Sequence, residues 1–279
     1  MPYNAQISRA NPACILFIID QSGSMSDPFG GDNTKRNKAD GVADAINRLL
    51  QNLGIKCARA EGIRDYFDVG VIGYGKHVLP AFGGTLKGME LAAISQVAGN
   101  PIRIEERTRQ VEDGAGGLVN QTVKFPIWFD PVAENGTPMC EALTKAQSIL
   151  QNWIGSHATS FPPILINITD GESTDGDPSK LAGSIQQLAT NDGNVLLFNV
   201  HISSKKASPI EFPDSEENLP DEHARLLFRC SSILPEVMRN YAQQMGYAMT
   251  DLTKGFVFNA DMVAVIKFLD IGTKVSDLR

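Results

Sequence analysis

Apolar positions along the chain follow two periods. Cys14–Ile19 is a continuous apolar run, as expected of a strand covered on both faces of a sheet. Behind it, "ADGVADAINRLLQNL" places Val42, Ile46, Leu49, Leu50 and Leu53 at the intervals of one helical face. "YFDVGVIGYG" at 66–75 reads as a second strand, and "HVLPAF" as a short one paired back on it, with Pro80 favouring an edge. Met139, Leu143, Ala146, Leu150 and Trp153 form a helical stripe, and Pro138 suits the first turn of that helix. "PPILINITDG" and "NVLLFNVHIS" predict two further buried strands. "DPSKLAGSIQQLATNDG" predicts an amphipathic helix with Gly193 past its end. "PEVMRNYAQQMG", "GFVFN" and "ADMVAVIKFLDI" predict a helix, a short strand and a closing helix with Met262, Val265, Ile266 and Leu269 as its core stripe.

Strands alternating with helices predict an α/β fold, with a doubly wound, mostly parallel sheet and helices on both faces. We expect one domain over 1–279. Residues 84–130 form an insertion in it, with "LKGMELAAISQVAG" giving a helical turn or two. "PIRIEERTRQVED" and "NQTVKFPIWF" flank "GAGG" as a small β-hairpin element. Residues 205–232 are expected to be a polar, mostly acidic loop. In doubly wound sheets, ligands bind beyond the carboxyl ends of the strands. Asp20 and Asp170 both fall at such ends.

Composition narrows the classes. With 279 residues and 42% hydrophobic positions the chain can bury a sizeable core. A net charge of −7 argues against a general nucleic-acid surface. No apolar run is long enough to cross a bilayer, and "MPYNAQISRANPA" lacks a signal-peptide pattern, so a cytoplasmic protein is expected. Cys14, Cys57, Cys140 and Cys230 form no CxxC pair and read as free thiols.

Asp20, Ser22 and Ser24 leave the first strand together, and residues spaced by two in extended chain project to one side. Thr137 opens a helix after Gly136, and Asp170 precedes Gly171. All five candidates carry hard oxygen donors, the ligands Mg²⁺ prefers. Mn²⁺ and Ca²⁺ accept such donors too. Taken singly, Asp20 and Ser22 also suit helix caps, and Asp170 suits a turn before glycine.

"DQSGS", "GTP" at 136–138 and "TDGE" at 169–172 occur in that order on the expected elements. In this the chain resembles the von Willebrand factor A (vWA) family, a Rossmann-like fold, and its metal-ion-dependent adhesion site (MIDAS). The similarity spans about residues 10–272 and leaves the two insertions aside. The resemblance implies that Ser22 and Ser24 bind Mg²⁺ directly, and that Asp20, Thr137 and Asp170 do so directly or through water. It also implies a sixth position that takes a partner protein's Asp or Glu carboxylate. Bacterial intracellular members work beside kinases, phosphatases or AAA-type ATPases, including tellurite-resistance-associated sets.

Two functions follow as expectations. The first is a metal-dependent protein-binding module, an adaptor or scaffold without turnover, whose partners are proteins rather than nucleic acid or membrane. The second is a Mg²⁺- or Mn²⁺-dependent phosphoester hydrolase. The sequence has no GxSxG elbow, no phosphate-binding glycine loop with its Lys, and no DxD pair on the first strand. Cys140 lacks a nearby base, and His77, His157, His201 and His223 show no zinc-ligand spacing. Glu172 reads equally as a group behind the ligands or a solvated side chain. The acidic run Asp214, Glu216, Glu217, Asp221 and Glu222 reads as a solvated loop, with a carboxylate reaching the metal as the sharper alternative.

Overall fold

The computed structural model describes residues 3–29, 36–112, 117–203 and 208–273. The first strand, β1 (Ala13–Asp20), is buried throughout and is followed by a turn of 3-10 helix at Gly23–Ser26. Helix α1 (Lys38–Cys57) begins with a capping box. The Asn37 side chain accepts from Asp40 N–H at 2.7 Å, and the Asp40 carboxylate accepts from Asn37 N–H at 3.4 Å. Strands β2 (Phe67–Tyr74) and β3 (Val78–Pro80) follow. A two-residue strand β4 (Ala92–Ala93) leads into the short helix α2 (Ile94–Gly99). The hairpin β5 (Arg103–Glu112) and β6 (Leu118–Ile127) comes next, in the stretch where the insertion was expected. Its tip, within "GAGG", lies outside the described residues except for Gly117. Beyond it come α3 (Met139–Ser156), β7 (Ile164–Thr169), α4 (Ser179–Gln186) and β8 (Leu196–Ile202). The chain closes with β9 (Ile210–Glu211), α5 (Glu222–Arg229), α6 (Glu236–Gln244), β10 (Phe256–Ala260) and α7 (Met262–Gly272).

The sheet runs β9-β10-β8-β7-β1-β2-β3, with β4 also on β2. The five central strands pair in parallel, whereas β9, β3 and β4 pair antiparallel at the edges. The α/β architecture read from the sequence is therefore the one observed. Pro80 sits on an edge strand opposite Ile72, where its missing N–H costs no ladder bond. Alternation along β1 divides the core. Ile15, Phe17 and Ile19 pack on the side holding α1, α2, α6 and α7, and Cys14, Leu16 and Ile18 pack on the side holding α3, α4 and α5.

β1 pairs with β2 on one side and β7 on the other. The chain crosses from β1 to β2 on one side and from β7 to β8 on the other, so β1 and β7 border the topological switch point. That is where a crevice opens at the carboxyl ends of a doubly wound sheet. Asp20 ends β1, and Asp170 follows the last residue of β7.

Two readings need correction. The helix expected over "DPSKLAGSIQQLATNDG" stops at Gln186, and Ala189–Thr190 pairs with Gly193–Asn194 in a small hairpin. Asn191 and Asp192 make the turn, and Gly193 has φ +150°, which favours glycine. The stretch 205–232 is not all loop, for it contains β9 and α5. Asp221 caps α5 by accepting from Ala224 N–H at 2.8 Å, and Ala224, Leu227 and Phe228 bury its apolar face. Glu216 and Glu222 pair with Arg229, and Asp214 accepts from Thr250 Oγ1 at 3.2 Å. Asp214, Glu217, Asp221 and Glu222 are nonetheless exposed, as read from the sequence, and their contacts are surface ones. Cys14, Cys57 and Cys230 are buried thiols. Among the described residues no helix is long and apolar enough to cross a membrane.

Candidate metal centre

Three loops meet at the switch point. The first leaves β1, and its Gly23 N–H donates to the Asn135 carbonyl at 2.8 Å. The Glu134 N–H donates back to the Gln21 carbonyl at 2.6 Å, so the first and second loops are zipped by backbone. The second and third loops are joined the same way. Thr174 N–H donates to the Thr137 carbonyl at 3.0 Å, and Thr137 N–H donates to Thr174 Oγ1 at 3.1 Å. Asp175 then accepts from the N–H groups of Cys140 and Glu141 at 3.0 and 2.9 Å, capping the start of α3. Burial pulls the Asp175 carboxyl upward, but those donors and the Ser173 hydroxyl outweigh it and hold it below the usual range.

The polar groups converge inside this frame. Asp20 is 1% exposed. Its Oδ1 accepts from Ser22 N–H and its Oδ2 from the Thr169 hydroxyl, both at 2.8 Å. Burial raises its pKa above the ordinary aspartate value, against the pull of the Ser22 and Thr169 hydrogen bonds. Ser24 Oγ donates to Asp170 Oδ1 at 2.8 Å, and Ser22 Oγ lies 3.1 Å from Ser24 Oγ. Thr137 is buried, and its hydroxyl makes no hydrogen bond among the described residues.

Four of the five sequence candidates, Asp20, Ser22, Ser24 and Asp170, are thus linked to one another or through Thr169. Thr137 makes no hydrogen bond to these four among the described residues; its backbone pairs with Thr174 of the third loop. The donor set is suited to a hard divalent ion. A 3.1 Å oxygen–oxygen spacing is that of hydrogen-bonded hydroxyls. It is also close to the spacing, about 3 Å, of adjacent corners of an octahedron with bonds of about 2.1 Å. Among the described residues no three His, Cys, Asp or Glu cluster to hold a metal. Any ion here would rest largely on neutral hydroxyls.

Sequence reasoning missed Lys38. Its ammonium donates to Asp170 Oδ2 at 2.7 Å and to the Ser24 carbonyl at 3.3 Å, with Asp27 Oδ2 at 3.6 Å. The Lys38 side chain is 5% exposed and that of Asp170 is fully buried. A signal was present, since a lysine opening a helix sits against the macrodipole and needs a local anion. Thr169 and Asp175 were missed too, as their roles depend on loops distant in sequence. Glu172 is exposed, and Cys140 Sγ has a hydroxyl neighbour, Ser173 Oγ at 3.6 Å, with burial raising its pKa. A cavity of about 510 Å³ adjoins Lys38 and Asp170 and is lined also by His201, Ile210, Asp221 and Phe258.

No protein-family model matches the chain, and no curated protein does. Solved structures do. The proximal thread matrix protein 1 of the mussel byssus, in a form with a zinc-occupied MIDAS motif, is 13% identical with a TM-score of 0.50. That match covers 96% of this chain and 48% of the other. A second crystal form of the same mussel protein gives 14% identity, a TM-score of 0.47 and the same coverage. The ArnB paralog VWA2 of Sulfolobus acidocaldarius is 15% identical with a TM-score of 0.36, covering 70% of this chain and 36% of that one. The chain spans under half the length of these proteins. The fold is a vWA-like α/β fold.

Proposed function

We propose that this chain is a metal-dependent protein-binding module with an intact MIDAS. Asp20, Ser22, Ser24, Thr137 and Asp170 would hold Mg²⁺, with Mn²⁺ or Ca²⁺ as substitutes. The observation that carries this reading is the chain of contacts Ser22–Ser24–Asp170, which gathers two loops at the switch point of the sheet. The zinc-occupied MIDAS of the similar mussel protein supports a divalent ion at this place in the fold.

A bound divalent ion supplies positive charge that attracts an Asp or Glu carboxylate of a partner protein. The protein's own residues set how strongly. Ser22, Ser24 and Thr137 offer neutral oxygens, which leave the charge unquenched. Asp20 stays behind them, fixed by Ser22 N–H and Thr169. Asp170 is shared between Ser24 and Lys38. The cavity beside Lys38 and Asp170 offers room for residues flanking the partner's carboxylate.

The reading is of an adaptor without turnover. Both Asp20 oxygens are engaged, which disfavours it as a nucleophile toward phosphoesters. A bacterial setting beside kinase, phosphatase or ATPase components, of the tellurite-resistance-associated kind, rests on the sequence resemblance. The test is an affinity capture from the native cell with and without Mg²⁺. Capture is expected to fail with EDTA and in Asp20→Ala or Ser22→Ala. Capture indifferent to all three overturns the reading.

A further inference from the structure

We propose that Lys38 is a built-in counter-charge that couples metal binding to carboxylate binding, so that the ion is held tightly only when a partner's acid completes the site. The inference rests on the reading of this cluster as a divalent-metal centre.

Three buried charged side chains lie at the cluster. Asp20 and Asp170 are anionic and Lys38 is cationic. Asp27 also faces Lys38, at 3.6 Å, but its side chain is 55% exposed and its charge is largely screened. The buried set therefore carries one net negative charge. A divalent ion leaves it one positive charge in excess, and one incoming carboxylate brings it to neutrality. Without Lys38 the two aspartates alone would neutralise the ion, and a further carboxylate would be a surplus anion in a buried site, which is costly. The lysine thus moves the point of charge balance from metal alone to metal plus one acid.

The hydrogen bonding supports the same role. Asp170 turns Oδ2 to Lys38 and Oδ1 to Ser24, so the ammonium takes up the carboxylate oxygen that does not face the hydroxyls. The Ser24 carbonyl also accepts from Lys38, which ties the ammonium to the same loop that carries the serines. Lys38 opens α1 right after the capping residue Asn37, and its backbone N–H donates to the Asp27 carbonyl at 3.0 Å. Its backbone is thereby anchored at the start of the helix, and its side chain is buried against the cluster.

The experiment is titration calorimetry of the full chain with Mg²⁺ and with Mn²⁺, alone and in excess acetate. It compares the natural protein with Lys38→Met, Lys38→Gln and Lys38→Arg. The natural protein and Lys38→Arg are expected to bind the ion weakly alone and several-fold more tightly with acetate. The two neutral variants should bind the ion alone about tenfold more tightly, as removal of a unit charge a few ångströms away implies. Acetate should then add nothing. Thermal melts give a second readout. The neutral variants should melt lower than the natural protein without metal and gain more on adding Mg²⁺, because the ion replaces the charge Asp170 has lost. Neutral variants that bind the ion no more tightly than the natural protein, or that stay unfolded in Mg²⁺, overturn the inference and leave the metal site standing. If neither the natural protein nor any variant binds a divalent ion, the metal-site reading itself falls, and this inference with it.

Discussion

The Ser24 hydroxyl donates to Asp170 Oδ1 at 2.8 Å, across 146 positions of the chain. A serine used as a donor toward one carboxylate keeps its lone pairs for a cation or another donor. Here the Ser22 hydroxyl lies 3.1 Å away. The contact therefore turns the hydroxyl hydrogen to the acid and leaves the oxygen able to accept.

Ser24→Ala should leave the fold nearly intact, because Ser24 is exposed and Asp170 retains its ion pair with Lys38. The cost in stability is expected to be under about 1 kcal/mol. Divalent binding should weaken by about tenfold or more, since one oxygen donor is removed from the ion's shell. A melt with and without Mg²⁺ separates the two effects. An unchanged Mg²⁺-induced rise in midpoint would exclude Ser24 as a ligand.

Gly75 controls how closely the first two loops approach. A Cβ there would lie 2.7 Å from the Gln21 carbonyl oxygen and 2.9 Å from that of Glu134. Both atoms are backbone, so the loops themselves must move. At Gly73 the added carbon meets the Gln21 side chain, whose end can turn aside. Gly75→Ala is expected to cost about 1–3 kcal/mol and to weaken metal binding in parallel. Urea unfolding with a Mg²⁺ titration on the same sample checks both, and an unperturbed affinity would show that loop spacing does not set the site.

A buried polar line crosses the sheet under the site. Tyr74 OH donates to Asn167 Oδ1 at 2.7 Å, Asn167 Nδ2 donates to Asn199 Oδ1 at 3.0 Å, and Asn199 Nδ2 donates to Ser231 Oγ at 3.0 Å. Asn167→Ala strands a donor on one side and an acceptor on the other. The loss should be about 2–4 kcal/mol. Tyr74→Phe combined with Asn167→Ala should lose less than the sum of the single changes, and strict additivity in urea denaturation would refute the network.

His223 gives a pH dependence. Its Nε2 is buried without a hydrogen-bond partner among the described residues, and burial lowers its pKa below the usual histidine value despite the charges of Glu172 and Asp221. The unfolded chain then binds the proton more readily than the folded one. Stability from this group is full above the unfolded value, about 6.5, and is lost as pH falls through the lowered folded value. His223→Phe should flatten the fall in denaturation midpoint on acidification below about pH 6.5. A slope identical in the variant would assign the effect to another group.

The period of the apolar residues determined the elements, because which face of a strand or helix is apolar is a local property. It located β1, α1, β7 and α3, and the alternation of strands and helices determined the parallel sheet. The "DQSGS" stretch set Asp20, Ser22 and Ser24 on one loop, since their spacing is a matter of a few bonds. Helix α5 escaped notice because its apolar positions, Ala224, Leu227 and Phe228, follow an acidic run that masked them. Only the tertiary structure decided that Lys38 pairs with Asp170, 132 positions away, that Asp175 caps α3, and that Thr169 fixes Asp20. Coulomb attraction and hydrogen bonding act between atoms a few ångströms apart, and that nearness comes from the order of strands in the sheet rather than from neighbouring letters in the chain.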